Sequence, residues 1–250
     1  MKVSLVGKGK TGGQILEMLP QDSIGAVFDS QNPPEKFKIE ESDVCIIFVP
    51  GDIFSDLLPT LLSTQTPMVI GSTGFHWKPR ELQRLRDEKK RWVHGHNFSL
   101  AMNVVRHTLG LMGRSRELLD GMGLHIHEIH HLHKRDAPSG TALKWKEWLG
   151  HPEVDISSER TGDAIGLHRL TIKGPLETLE LTHESLDRKI FARGAIWAAR
   201  KILETPDLPL GLIPFEDLVD HFMERSPSET SNATKENQKK NQKESKRKST

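Results

Sequence analysis

Between positions 128 and 141 the chain reads Glu-Ile-His-His-Leu-His-Lys-Arg-Asp-Ala-Pro-Ser-Gly-Thr, which sets imidazoles, an amine and a helix-start signal side by side. Such residue types bind an anion and hand it protons. Asp136 or Ser139 can cap a helix over 141–149, and Pro138 stiffens its entry. The amides of Ser139, Gly140 and Thr141 would then point outward without intrahelical partners, and amides so placed hold carboxylates or phosphates. Upstream, 124–133 alternates enough to read as a strand, which would bring His130, His131 and Lys134 to its mouth beside that helix start. A small dicarboxylate suits the pocket. Five histidines between His125 and His133 offer a zinc cluster as the rival reading, because imidazole is a common zinc ligand. The H-E-x-x-H spacing is missing, however, and the residues from Lys134 to Thr141 have no part in a zinc site, so no metal is expected.

A second grouping lies near the start. The short apolar run 3–6 ends in Gly7, Lys8, Gly9, Lys10, Thr11, Gly12 and Gly13, followed by a helix-like stretch. Strand, glycine turn and helix in that order let backbone approach a pyrophosphate, and Gly7, Gly9 and Gly12 fit G-x-G-x-x-G. Asp29, about twenty residues on and just after an apolar run, is placed to bond the adenosine ribose hydroxyls.

Composition narrows the chemistry. The chain has no tyrosine, which removes every mechanism with a Tyr proton donor and leaves acid chemistry to His and Lys. Its one cysteine, Cys45, lies in an apolar run and reads as a buried structural thiol. No segment approaches the twenty apolar residues that span a membrane, and the start lacks the long apolar core of a signal peptide, so a cytoplasmic protein is expected. Residues 226–250 carry seven Lys or Arg against three Glu and almost nothing to bury. That stretch reads as a disordered basic tail, with nucleic-acid binding the minor alternative.

The elements that must position these groups follow from alternation. Strands are expected near 3–7, 25–29, 43–49, 67–71 and 92–95, with helices near 12–19, 53–63 and 78–90 between them, which argues an α/β fold with a parallel, doubly wound Rossmann-type sheet. A long helix over 100–119 leads out. The His-rich strand, the loop and helix around 136–149, and an antiparallel pair at 167–173 and 178–183 then form a second α+β domain with an open mixed sheet. Residues 188–203 are helical again.

The string E-x-H-H-x-x-K-x-D-A-P-S-G-T-A, matched at every fixed position from Glu128 to Ala142, resembles the signature of the dihydrodipicolinate reductases. Other blocks fall in that family's order: Gly71, Ser72, Thr73 and Gly74 resemble its G-T-T-G turn, Asn97, Phe98 and Ser99 its N-F-S turn, and 191–195 its F-A-R-G-A segment. The resemblance covers about residues 1 to 222. It implies that residues 1–101 and 188–225 form a discontinuous dinucleotide-binding domain, that 102–187 bind substrate, and that a homotetramer assembles through the second domains. It implies reduction of (hydroxy-)dihydrodipicolinate to tetrahydrodipicolinate by NAD(P)H in lysine and diaminopimelate synthesis. Gly71, Ser72 and Thr73, with Gly95, His96, Asn97 and Phe98, would hold the nicotinamide. His130 would be the proton donor, Lys134 the electrostatic stabiliser, and His131, Ser139, Gly140 and Thr141 the holders of the substrate carboxylates.

The chain departs from the family pattern in two places. Lys10 stands at a usual glycine position and Gly12 at a usual methionine, and Ile47 replaces the acid of a common D-F-T or D-F-S. No arginine follows Asp29, where many relatives carry a basic residue able to meet a 2′-phosphate, so NADH is expected over NADPH. A non-catalytic NAD(P)-binding ligand sensor is the alternative; it would need the anion site but not His130.

Overall fold

The computed structural model describes residues 1–119 and 121–224, so the basic tail expected over 226–250 lies outside the described residues. The chain runs through β1 (Val3–Val6), α1 (Lys10–Met18), β2 (Ile24–Phe28), α2 (Lys36–Glu40), β3 (Val44–Ile47), α3 (Gly51–Leu62), β4 (Met68–Ile70), α4 (Pro79–Asp87) and β5 (Arg91–His94). These apolar strands, three to five residues long, bury both faces. Leu5, Ile46, Val69 and Val93 pack toward α1 and the later helices, while Val6, Ile47, Ile70 and Trp92 pack toward α3 and α4. A sheet covered on both faces reads as continuous apolar runs, as these do.

From β5 the chain enters α5 (Leu100–Arg114), whose N-cap Ser99 hydroxyl accepts from the Met102 amide at 3.2 Å. It then forms β6 (Gly123–His130), α6 (Gly140–Leu149), β7 (Asp155–Arg160), β8 (Leu167–Lys173), β9 (Thr178–Glu184), α7 (Lys189–Glu204), β10 (Gly211–Pro214) and α8 (Phe215–Met223). The first sheet has the order β10-β5-β4-β3-β1-β2, and every pairing in it is parallel. The second has the order β7-β6-β8-β9, with β6 and β7 parallel and the other pairs antiparallel. Rossmann-type sheet and mixed sheet are thus both present.

The first sheet reverses its winding at β1, which has β2 on one side and β3 on the other, and a crevice opens at the carboxyl ends of strands where such a reversal occurs. The chain returns to this sheet after the second one: α7 packs on α1, and β10 joins β5 in parallel. The mixed sheet is covered on one face by α5 and α6, whose Met102, Leu109, Trp145 and Leu149 meet Ile126 and Leu170 in a core of their own.

Several elements differ from the sequence expectation. The His-rich strand stops at His130 rather than 133, because residues 131–139 turn away, with the Lys134 amide donating to the His131 carbonyl at 3.1 Å. α5 ends at Arg114, and a short 3-10 turn at Arg116–Leu119 replaces its expected last turn. β7, β10, α2 and α8 were not expected. Among the described residues no helix is long and apolar enough to cross a membrane.

Gly194 shows how closely the returning helix is seated: a Cβ there would lie 1.7 Å from the Phe98 carbonyl oxygen, against backbone that cannot yield. Gly194→Ala should lower the unfolding free energy by about 2 kcal/mol or more. Gly9→Ala, whose Cβ would meet nothing within 4 Å, should change it by no more than about 1 kcal/mol. Urea titration of the two variants checks both.

Candidate active site

β6 alternates, with Leu124, Ile126, Glu128 and His130 on its covered face and His125 and His127 on the other. The last two inward positions are polar, and strand register supplies their partners. Glu128 stands opposite Ser158 on β7 and His168 on β8, and His130 stands opposite Arg160 on β7. Glu128 is fully buried. Its Oε1 accepts from Arg160 Nη2 at 2.8 Å and from the Ser139 amide at 3.2 Å, and its Oε2 is in contact with His130 Nδ1. Arg160 also donates to the Asp136 carbonyl at 2.5 Å, which ties the loop after β6 to β7.

Ser139 caps α6, its hydroxyl accepting from the Ala142 amide at 3.1 Å and sharing a hydrogen bond of 3.1 Å with His168 Nε2. The helix start expected from the sequence is therefore present, and Ser139 rather than Asp136 makes it. The Ser139 amide is occupied by Glu128, so Gly140 and Thr141 are the residues of that start which reach open space.

Two cavities meet here. A small one of about 90 Å³ is lined by His130, His168, His183, Arg188, Thr141 and Asn97 among others. A larger cleft of about 640 Å³ is lined by Lys134, Gly140, Thr141, Lys144, His96 and Thr73 among others. Of the residues assigned to chemistry from sequence, His130 faces the first, Lys134 the second, and Thr141 both. His131 and Ser139 line neither: His131 lies beyond the strand end, and the Ser139 side chain is buried in the network just described. Lys134 is held by Asp136, its Nζ lying 2.8 Å and 2.9 Å from the two carboxylate oxygens.

The residues assigned to the cofactor gather along the carboxyl edge of the parallel sheet. Gly7, Lys8 and Gly9 follow β1, Asp29 follows β2, Gly71, Ser72 and Thr73 follow β4, and Gly95, His96, Asn97 and Phe98 follow β5. Gly7 has φ +96°, and a Cβ on it would meet the Phe48 carbonyl at 2.3 Å. Gly12 lies against Gly7, where a Cβ would stand 1.9 Å from its carbonyl oxygen. Gly9 is the N-cap of α1 and gives it no side-chain cap, which leaves the first amides, those of Lys10 and Thr11 included, for an anion. Lys8 Nζ and Asp29 Oδ2 pair at 2.6 Å. Asp29 Oδ1 takes the amides of Gln31 and Asn32 at 2.9 and 3.0 Å. Thr73, His96 and Asn97 line the large cleft. The Phe98 ring is instead core, packed at a tilt between Phe48 and Phe215 at centroid distances of 5.6 and 4.5 Å.

Glu128, Arg160 and His168 carry no assigned role in the sequence reading. Glu128 could have been noticed as the carboxylate two residues before His130, hence on its side of a strand. Arg160 and His168 arrive by strand pairing and left no local signal. Glu128, His130 and His168 bring ligand-type atoms within 4.8 Å of one another. Arg160 already matches the carboxylate charge, which opposes entry of another cation. The five histidines do not converge, since His125 and His127 lie on the opposite face from His130 and the other two lie past the strand.

Burial works against the Glu128 carboxylate, but the bonds from Arg160 and Ser158 and the charges of His130 and Arg160 prevail and bring its pKa down to about 2. Burial lowers His168 to about 3, with the charge of His130 acting in the same direction. Burial also lowers His130, against the opposing pull of Glu128. The unfolded chain takes up a proton at His168 near pH 6.5, whereas the folded chain excludes it until about pH 3, so the stability it contributes is full above 6.5 and lost between the two. His168→Asn, which retains a partner for Ser139, should make the fall in unfolding free energy across that window shallower. Denaturant titrations at a series of pH values check it.

Comparison with known proteins agrees with this geometry. Residues 101–218 match the family described as dihydrodipicolinate reductase, C-terminus. The chain is 31% identical over 223 residues to the 4-hydroxy-tetrahydrodipicolinate reductase of Thermosipho africanus, an alignment covering 88% of this chain and 98% of that one. It is 36% identical over 163 residues to the enzyme of the same name from Xylella fastidiosa, covering 64% and 68%. In fold it is similar to the dipicolinate-bound dihydrodipicolinate reductase of Paenisporosarcina sp. TG-14, with TM-score 0.66 at 20% identity over 86% of this chain and 97% of that one. A probable dehydrogenase from Thermotoga maritima is similar at TM-score 0.54 and 9% identity, over 88% and 93%. On this sequence identity over nearly the full length of a curated relative, the chain belongs to the dihydrodipicolinate reductase family.

Proposed function

We propose that this protein reduces dihydrodipicolinate, or its 4-hydroxy precursor, to tetrahydrodipicolinate in lysine and diaminopimelate synthesis. The observation that carries the reading is the arrangement across the large cleft. Lys134 and the start of α6 stand on one side, with His130 in the small cavity that adjoins at Asn97, Met102 and Thr141, and the carboxyl-edge loops of the parallel sheet stand on the other. A nicotinamide dinucleotide fits the second side: the uncapped α1 start and the space over Gly9 suit a pyrophosphate, and Asp29 suits a ribose. Once bound there, it supplies the hydride.

The chain's own residues do the rest. Gly140 and Thr141 present a helix start to one substrate carboxylate. Lys134 leaves Asp136 for the other and sets a positive charge beside the ring. Hydride addition to a conjugated imine drives negative charge toward the far end of the conjugation, and a proton delivered there by His130 lowers the barrier. The dianionic substrate itself raises the pKa of His130, so the donor is protonated when it is needed.

The remaining assignments rest on the same layout. Residues 1–101 with 188–225 would serve as the cofactor domain, a reading supported by β10 and α7 returning to the first sheet. Residues 102–187 would bind substrate, and the uncovered face of their sheet would join copies of the chain into a cytoplasmic homotetramer. NADH is preferred to NADPH, because Asp29 repels a 2′-phosphate and Lys8, the cation at hand, is already paired with it.

With substrate generated in place from pyruvate and aspartate semialdehyde by the preceding synthase, purified protein should oxidise NADH faster than NADPH. No oxidation of either, despite cofactor binding, would favour the non-catalytic sensor. His130→Gln and Lys134→Ala should each lower turnover by about 10² to 10⁴ and leave NADH affinity unchanged by fluorescence titration; near-normal turnover would remove those two assignments.

A further inference from the structure

If His130 has the role proposed above, Glu128 beside it has one as well. A carboxylate with no exposed surface, on a strand face that begins with Leu124 and Ile126, needs strong compensation. The groups that provide it are parts of the site. On one oxygen, Arg160 and the Ser139 amide are seated together; the other faces His130 Nδ1. Neither Glu128 Oε2 nor His130 Nδ1 has a hydrogen-bond partner elsewhere among the described residues, so each must be satisfied by the other. The opposite ring nitrogen is directed away, toward Gly166 and the small cavity. A Cβ on Gly166 would lie 3.0 Å from His130 Nε2, and glycine leaves that space open.

We propose that Glu128 is the positioning residue of the reaction: it fixes the His130 ring so that Nε2 is the nitrogen that releases the proton, and it fastens the start of α6 to that ring through the Ser139 amide. Arg160 acts on the same carboxylate from β7 and sets how much of its charge His130 feels. Because Arg160 also holds the Asp136 carbonyl, the proton donor, the loop bearing Lys134 and the substrate-facing helix start are three points on one small rigid frame. The transferred proton travels from Nε2 to the substrate, and the neutral ring then takes a proton from solvent through the cavity, so Glu128 stays a carboxylate throughout.

The charged and titratable groups that face His130 are Glu128 on its own strand, Lys134 in the following loop, Arg160 on β7 and His168 on β8. His183 on β9 and Arg188 before α7 complete the cavity wall. Among these, the Glu128 charge favours the protonated ring, while Lys134 and Arg160 oppose it. Two substitutions therefore act in opposite directions. Glu128→Gln removes the charge that holds the proton and should move the alkaline limb of the kcat/KM profile to lower pH, with kcat down about 10²-fold. Arg160→Gln leaves the carboxylate facing His130 without its competing cation and should move that limb to higher pH. Loss of packing alone moves neither limb in a charge-dependent sense.

The experiment is the pH profile of kcat/KM for wild type and both variants, with the His130 imidazole titration followed by NMR in substrate-free protein and thermal melts as a folding control. Opposite displacements of the two limbs, mirrored in the NMR titrations, are the expected result. Unmoved limbs in folded variants would overturn the proposal. If Glu128→Gln does not fold, the direction of the Arg160→Gln displacement decides, an unchanged or lower limb counting against it. Should wild type show no reductase activity, the NMR titrations still test the pairing, while the absent activity counts against the proposed function alone.

Discussion

A charge buried without exposure must be matched where it lies, and Glu128 imposes that requirement on two strands and a helix at once. Replacing the carboxylate's hydration takes Arg160 from β7, the first amide of the α6 cap and the neighbouring imidazole. Neither Arg160 nor His130 can shift by one residue without reversing its direction across the pleat, so the pairing of β6 with β7 is fixed by electrostatics as well as by the apolar contacts beneath it. The exactness that a proton donor needs thus comes from strand pairing. The loop of residues 131–139 inherits its place from that pairing, being tied at Asp136 and Ser139.

On the other side of the cleft the logic is steric. Gly7, Gly12, Gly71 and Gly95 each sit where a Cβ would strike backbone or an aromatic side chain, so the turns after β1, β4 and β5 close down against the sheet. Gly9, by contrast, faces open space. Close packing beneath and an opening above leave the uncapped start of α1 exposed along the carboxyl edge. That edge is where a doubly wound sheet presents its binding crevice. Phe98 supports this arrangement from inside: its ring fills the space between Phe48 and Phe215 and so carries the backbone of Asn97 to the cleft.

Much of this was legible in the sequence, for identifiable reasons. The five strands of the parallel sheet up to β5 are apolar runs with clear punctuation, and the α6 cap announces itself in Pro-Ser-Gly-Thr. β7 was invisible because Asp-Ile-Ser-Ser-Glu-Arg is an edge strand with mostly polar residues, stabilised by its neighbour rather than by its own pattern. β10 is four residues long and merges into α8, so no periodicity has room to develop. The same limitation hid Arg160 and His168, since a residue 30 or 40 positions away becomes a partner only through register. His131 illustrates the converse: adjacency to His130 suggested a shared pocket, but consecutive positions at a strand end diverge, and the chain has already turned.

Cys45 gives the parallel sheet an internal witness. As the chain's lone thiol, it lies fully buried in β3, at the centre of the strand order, with burial raising its pKa to about 12. An alkylating reagent therefore reaches it only when the sheet itself opens, not when the cleft breathes or the mixed sheet loosens. Opening of the second sheet by itself leaves the thiol silent. Two populations of partly unfolded molecules that look alike to a spectroscopic probe are thereby separated by one covalent mark.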